Sequence, residues 1–295
     1  MPDHSPVWIN RPEKGSLSAI RLMAWASFFF GRNLTRPVIY LIAFFYLVFA
    51  ASARKASKQY LRHVLGHSPS LRDQYKHFLY FSTVTHDRLY MLAGRFEYFE
   101  FSISGEPIVR KALNTGSGLM LYGAHFGSFE AVRFTARTEE RLKISLLMYE
   151  DNGRKLLDLL RKISPEFSES IIPLGSITTM IEAKERLEKG HMIGLLADRS
   201  VNDESGKSYV FLGQSANFPD APFKLQRLFK CPALFITGIY LGANRYEIKF
   251  IDLLQTSDPI SSNQLQASYV DTLEQMCLTH PFNWFNFYDF WDQPR

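Results

Sequence analysis

Two uninterrupted apolar runs, LMLYGA at 119–124 and MIGLLAD at 192–198, constrain the fold more than any other feature. Each has the length of one strand and none of the polar alternation of a half-exposed one, so each predicts a strand buried on both faces. Such strands need helices above and below the sheet, and the intervening segments supply them. GRKLLDLLRKI (153–163), residues 176–189 opened by Ser176, and a last stretch over 262–277 have helical spacing; EPIVRKALNT (106–115) places Pro107 early in a short helix. Residues 56–96 are also helical in pattern, with Tyr60, Leu61, Leu65, Tyr75 and Phe78 at helical intervals. Further strands are expected at FEYFEFSIS (96–104), ISLLMYE (144–150), SIIPL (170–174), PALFITGIYL (232–241) and YEIKFIDLL (246–254). The alternation predicts an α/β fold, a central sheet with helices on both faces.

The N-terminal 62 residues differ from the rest. AIRLMAWASFFF (19–30) and PVIYLIAFFYLVFAA (37–51) are the most apolar stretches, and the second runs fifteen residues without a charge. That is short of the roughly 20 residues that usually span a bilayer; with Ser52 and Ala53 it could just reach across a thinned one. Nine Lys and Arg face only Asp3 and Glu13 here, a local +7 that exceeds the +5 of the whole chain. Bases beside apolar helices suit an anionic membrane surface. Arg32 and Arg36 before the run, and Arg54, Lys55 and Lys58 after it, suit a helix lying in the cytoplasmic leaflet better than a clean span. The alternatives are a buried helical hairpin and a cleaved signal. Ala51-Ser52-Ala53 has the A-x-A form of a cleavage site, but the apolar run starts late and two bases follow the cut. No folded basic face with stacking aromatics is evident, so no nucleic-acid partner is expected. Cys231 and Cys277 are too far apart to read as a disulfide framework or a zinc site, which favours a reducing compartment.

LYGAHFGSFE (121–130) holds a histidine and, five residues on, a glutamate. On a regular helix five steps would set them about 140° apart, so they meet only if the backbone turns between them. A strand ending before His125 and a helix starting at about Phe126–Ser128 provide that turn and put Glu130 in the first helical turns, where a carboxylate is favoured. Glu130 could then bond one ring nitrogen of His125 and leave the other as a base. Gly123 and Gly127 leave room for a substrate or an adjacent backbone. The plainer reading is a buried histidine satisfied by backbone, with Glu130 in solvent. His125, Asp198-Arg199 and the loop VFLGQSANFPDAP (210–222) all follow strands, where ligands of such sheets gather. There is no G-x-S-x-G elbow, no H-E-x-x-H or C-x-x-C, no Walker A loop and no G-x-G-x-x-G, so neither a metal nor another cofactor is expected. Without an evident protein nucleophile, the simplest chemistry is direct attack of a substrate hydroxyl on an activated acyl group.

HFGSFE is similar to the H-x4-D/E motif of glycerolipid-type acyltransferases of the lysophospholipid acyltransferase superfamily. The arginine-bearing GRKLLDLLRK, the acidic strand end LLAD and the loop VFLGQSANFP extend that resemblance to the lipid A biosynthesis (lauroyl/myristoyl) branch, over roughly residues 20–290. The resemblance implies a mixed central sheet flanked by helices, a membrane helix within residues 1–62 and an acyltransferase catalytic domain over 63–295. It implies transfer of a fatty acyl chain from acyl carrier protein or acyl-CoA to a hydroxyl of a lipid or glycolipid, at the cytoplasmic side of a bacterial inner membrane. His125 would be the general base and Glu130 its orienting partner; Gly123, Gly127, Ser128, Arg154, Asp198, Arg199, Gly213, Phe218 and Pro219 would contact substrates. A thioesterase or lipid hydrolase using the same base on water, and a lipid-binding membrane protein without turnover, are the competing readings. THPFNWFNFYDFW (279–291) departs from the branch, whose members end with Trp followed by bases. Asp289 and Asp292 in that place count against a phosphorylated lipid A acceptor and resemble a divergent branch acting on other envelope lipids. Its seven aromatics are expected to pack into the core rather than wall an acyl chain.

Overall fold

A computed structural model describes residues 17–114, 116–138, 143–149, 169–174, 177–199, 206–253 and 261–291. Four helices come first: α1 (Leu17–Phe30), α2 (Arg32–Phe49), α3 (Ala51–Leu65) and α4 (Leu71–Leu92). The helical stretch expected over 56–96 is therefore two helices. They part at Gly66, whose left-handed backbone ends α3, and Ser70, whose hydroxyl accepts from the Asp73 amide while the Asp73 carboxylate accepts from the Ser70 amide. Then come β1 (Glu100–Ser104), α5 (Glu106–Leu113), β2 (Leu119–Gly123), α6 (Arg133–Thr138), β3 (Ile144–Tyr149), β4 (Ile171–Leu174), α7 (Ile177–Glu188) and β5 (Met192–Leu196). A hairpin of β6 (Gly206–Phe211) and β7 (Gln214–Pro219) precedes α8 (Ala221–Phe229), β8 (Ala233–Gly242), β9 (Arg245–Asp252) and α9 (Ser262–Thr279). The helix expected over 153–163, with Arg154, lies outside the described residues.

Seven strands form the central sheet in the order β1-β9-β8-β2-β5-β3-β4. Neighbours are parallel except β8 and β9, which makes the sheet mixed. The two apolar runs occupy its middle. Side chains of β2 alternate between two cores: Met120 and Tyr122 face α3, α9 and the C-terminal aromatics, while Leu119 and Leu121 face α4 and α5. Covering both faces is what allows a strand without a polar side. α3 crosses residue 62, with Tyr60, Leu61 and Val64 buried in the first of these cores.

Two local expectations are corrected. Of FEYFEFSIS only Glu100–Ser104 is strand; Phe96–Tyr98 is a single 3₁₀ turn that carries the buried Phe96 ring against Phe101 and Phe134. The segment 210–222, expected as a loop, is largely the β6–β7 hairpin. Leu212 and Gly213 both have positive φ, 51° and 78°, the two-residue geometry that matches strand twist.

Two buried histidines hold the helical layer in place. His77 donates from Nε2 to the Trp284 carbonyl at 2.8 Å, and its Nδ1 lies 2.9 Å from Ser57 Oγ. His86 Nε2 lies 3.1 Å from both Ser27 Oγ and Thr35 Oγ1, joining α4 to α1 and α2. Burial, joined at His86 by the charges of Arg32 and Arg36, pushes both pKa values down to about 4. The unfolded chain therefore takes up protons below about pH 6.5 that the folded chain refuses, so folding weakens as pH falls and is not affected above that value. Between pH 6.5 and 4 each histidine is expected to remove up to about 1.4 kcal/mol per pH unit. Denaturation at pH 7 and pH 5 checks this: His77→Asn and His86→Asn should each flatten the acid loss of stability.

Candidate active site

Parallel pairing of β2 with β5 sets Gly123 opposite Leu196. Both chains continue in step for two residues, which brings His125 and Asp198 side by side just beyond the carboxyl ends of the two central strands. His125 Nδ1 lies 2.8 Å from Asp198 Oδ1, and the His125 backbone amide donates to Oδ2 at 3.1 Å. The indole Nε1 of Trp284 donates to the same Oδ2 at 3.1 Å. Asp198 is fully buried. Burial alone would raise its pKa; the charge and hydrogen bonds of His125, together with Arg199, outweigh burial and hold the carboxyl well below the usual range. Burial and the nearby charges of Arg199 and Arg88 lower the His125 pKa, with Asp198 opposing them.

The carboxylate hydrogen-bonded to His125 is thus Asp198, and Glu130, expected in that place, is elsewhere. The reason is the turn itself. Gly127 has φ +61°, its amide donates to the Asn283 carbonyl at 2.8 Å, and the Ser128 amide donates to the Gly238 carbonyl at 2.8 Å. A Cβ on Gly127 would collide with that carbonyl, so the close approach permitted by this glycine is filled by the backbone of β8. The chain then enters a 3₁₀ turn over Glu130–Val132, and α6 starts at Arg133, later than the helix start expected near residue 126. From that turn Glu130 reaches α4, where Arg88 Nε meets Glu130 Oε1 at 2.5 Å. Ser128 accepts from the Ala131 amide and lies 3.4 Å from Glu130 Oε2, bracing the same turn.

His125 opens onto a cavity of about 380 Å³. One wall comes from α4, where Phe81, Val84, Thr85 and Arg88 recur at helical spacing; the other comes from Leu196, Phe285, Phe287 and Tyr288. Arg199 donates from Nη2 to the Phe285 carbonyl at 2.8 Å and packs its guanidinium 5.1 Å above the Tyr288 ring. Two cations, one base and two buried carboxylates, Glu130 and Asp198, therefore meet beside a recess that five Phe and Tyr side chains help to line. A neutral histidine held at Nδ1 keeps Nε2 free to accept a proton, and apolar walls of this size suit an alkyl chain.

Of the residues expected at the site, His125, Gly127, Glu130 and Arg199 line the cavity, with Asp198 directly behind His125. Gly123 and Ser128 belong to its frame: the Gly123 carbonyl accepts from the Tyr269 hydroxyl at 2.8 Å. Gly213, Phe218 and Pro219 lie on the β6–β7 hairpin, outside the cavity lining. Arg88 and the tail residues Phe285, Phe287 and Tyr288 were not anticipated. A cation interrupting the apolar repeat of α4 was the available signal for Arg88. The tail packs into the core as expected, with Trp284, Phe285, Tyr288 and Phe290 buried there, and Phe285, Phe287 and Tyr288 also line the cavity.

Among the described residues, no group of three or more His, Cys, Asp or Glu side chains is placed to hold a metal ion. The comparison with curated proteins gives no match. The family model for bacterial lipid A biosynthesis acyltransferases matches residues 77–293, a span that runs from α4 to the aromatic tail and includes His125, Glu130 and Asp198. Matched over most of its length, the chain belongs to the bacterial lipid A biosynthesis acyltransferase family.

Proposed function

We propose that this lipid acyltransferase is a membrane-attached O-acyltransferase that moves a fatty acyl chain from a thioester, on acyl carrier protein or coenzyme A, to a hydroxyl of a lipid or glycolipid at the cytoplasmic face of the inner membrane. The observation that carries the reading is the 2.8 Å contact between His125 and the fully buried Asp198 at the end of an aromatic cavity. Asp198, rather than Glu130, orients the base. His125 Nε2 takes the proton of the acceptor hydroxyl, the oxygen attacks the thioester carbonyl, the C–S bond breaks, and the imidazolium returns the proton to the departing thiolate. Arg199 and Arg88 steady the oxygen charge that develops on the acyl carbon's substituent, with Glu130 holding Arg88 at the wall. Residues 1–62 supply the attachment surface and 63–295 the catalytic unit, with α3 running across the division into the main core.

Supplying the full chain with a radiolabelled acyl thioester and inner-membrane lipids tests this. Label should appear in ester-linked lipid at the expense of thioester. Release of label solely as free fatty acid would make the enzyme a hydrolase, and binding of lipid without any product would make it a lipid-binding protein.

A further inference from the structure

Helix α2 is, among the described residues, the one helix long and apolar enough to cross a membrane. Its surroundings oppose that arrangement. Along one stripe Arg32, Thr35, Ile39 and Ala43 are buried against the protein. The opposite side presents Leu34, Leu41, Phe44, Phe45 and Phe49, with Leu41 69% and Phe49 68% exposed. The usual order of a surface helix is inverted, with an arginine and a threonine inside and large hydrophobic side chains outside. α1 repeats the inversion: Ala24 and Ser27 are buried while Trp25 and Phe29 are exposed. A contiguous apolar face of this size marks an interaction surface rather than a solvated one.

Contacts with α4 run along the length of α2. Arg32 donates to both oxygens of Asp87, at 2.8 and 3.0 Å; Thr35 meets His86; the Tyr75 hydroxyl donates to the Tyr40 carbonyl at 3.2 Å; and Tyr46 stacks on Phe78. The start of α2 meets Asp87 and His86 late in α4, and its later residues Tyr40 and Tyr46 meet Tyr75 and Phe78 early in α4, so the two helices lie antiparallel side by side. At its start Arg36 donates to the Ala243 carbonyl at 2.7 Å, and beyond its end α3 enters the main core. Both ends of α2 are thus fastened to the same folded body. A crossing helix would have to carry α4, and the sheet packed on it, into the hydrocarbon.

We infer that α1 and α2 lie in the plane of an anionic leaflet, embedded by their outer face only, and that the chain does not cross the bilayer. The inference deepens the membrane attachment proposed above and rests on it. Charge supports an anionic surface as the occupant: Arg54, whose guanidinium caps the Leu47 and Val48 carbonyls, is followed by the exposed Lys55, Lys58 and Arg62. The cavity wall and the α1–α2 pair share α4, since Thr85 lines the cavity and the adjacent His86 bonds both helices. Docking in plane therefore leaves only α2 and α4 between the leaflet and the cavity.

Sidedness decides the matter. A cysteine in an N-terminal tag, and separately one in a C-terminal tag of the full chain, should show the same sidedness toward a membrane-impermeant maleimide in sealed inner-membrane vesicles; native Cys231 and Cys277 are buried. Labelling on opposite sides would overturn the inference and leave membrane attachment standing. Recovery of the full chain outside the membrane fraction would overturn attachment as well. In a second measurement, the Leu41→Asp/Phe45→Asp variant should lose at least about tenfold in partition to phosphatidylglycerol-containing vesicles with an unchanged melting transition. Partition equal to wild type would overturn the inference.

Discussion

Replacing Asp198 with Asn is expected to lower acyl transfer by roughly 10²- to 10⁴-fold while the protein stays folded, and His125→Ala is expected to lose at least as much. Asp198 is the carboxylate on His125 Nδ1, and it accepts two further hydrogen bonds, from the His125 amide and the Trp284 indole. Held ionised by His125 and Arg199 against its own burial, it fixes Nδ1 as the protonated ring nitrogen. An asparagine amide turned toward the ring would donate to Nδ1, forcing the proton onto Nε2 and removing the base. Glu130→Gln separates the two carboxylates: it should slow transfer far less, because Glu130 meets Arg88 and not the imidazole. If Glu130→Gln were as severe as His125→Ala and Asp198→Asn mild, the roles given to the two acids would be reversed. The pH profile is a second readout. Burial and Arg199 lower the His125 pKa while Asp198 raises it. Transfer by the wild type should therefore fall in acid only below the ordinary histidine value of about 6.5, and the residual activity of Asp198→Asn should hold to still lower pH.

The strands beneath this site were legible because burial on both faces leaves a mark in composition: LMLYGA and MIGLLAD read as central strands and are β2 and β5. Their pairing was not legible. Nothing within either run says that they are neighbours or that Gly123 faces Leu196, and that register alone puts Asp198 beside His125. Glu130 drew attention through sequence proximity, but the positive φ of Gly127 and the Ser128 amide's bond to β8 turn the chain so that the nearby carboxylate leaves and the distant one arrives. The same limit hid Arg88 and the tail. A helix pattern shows which residues share a face, as Phe81, Thr85 and Arg88 do, but not what that face meets. The apolar character of α1 and α2 was plain; that an arginine and a threonine make their inner stripe depends on Asp87 and His86, more than fifty residues away.

Trp284→Ala is expected to cost about 3–5 kcal/mol of stability and most of the transfer activity together. The indole is fully buried, with ring contacts at 5.0 Å to Tyr60, 5.2 Å to Phe211 and 4.9 Å to Phe290, so its loss leaves a void between α3, the β6–β7 hairpin and the tail. It would also strip one donor from Asp198 and loosen the backbone clamp on the turn that carries His125. That clamp is made by its neighbours: the Asn283 carbonyl accepts from Gly127, and the Phe285 amide donates to the His125 carbonyl at 2.7 Å. Trp284→Phe separates packing from hydrogen bonding. It keeps an aromatic ring in the core but removes the N–H, so it should retain most of the denaturation midpoint while transfer drops, through the loss of a hydrogen bond to a charge worth about 1.5–3 kcal/mol. Chemical denaturation and initial rates on both variants check the pair. A Trp284→Ala protein as stable as wild type would mean that the tail merely covers the cavity. The His77 bond to the Trp284 carbonyl should outlast protonation of that histidine, because Nε2 already donates it; the proton arrives at Nδ1 and breaks the bond accepted from Ser57, so acid should loosen α4 from α3 before it loosens the tail.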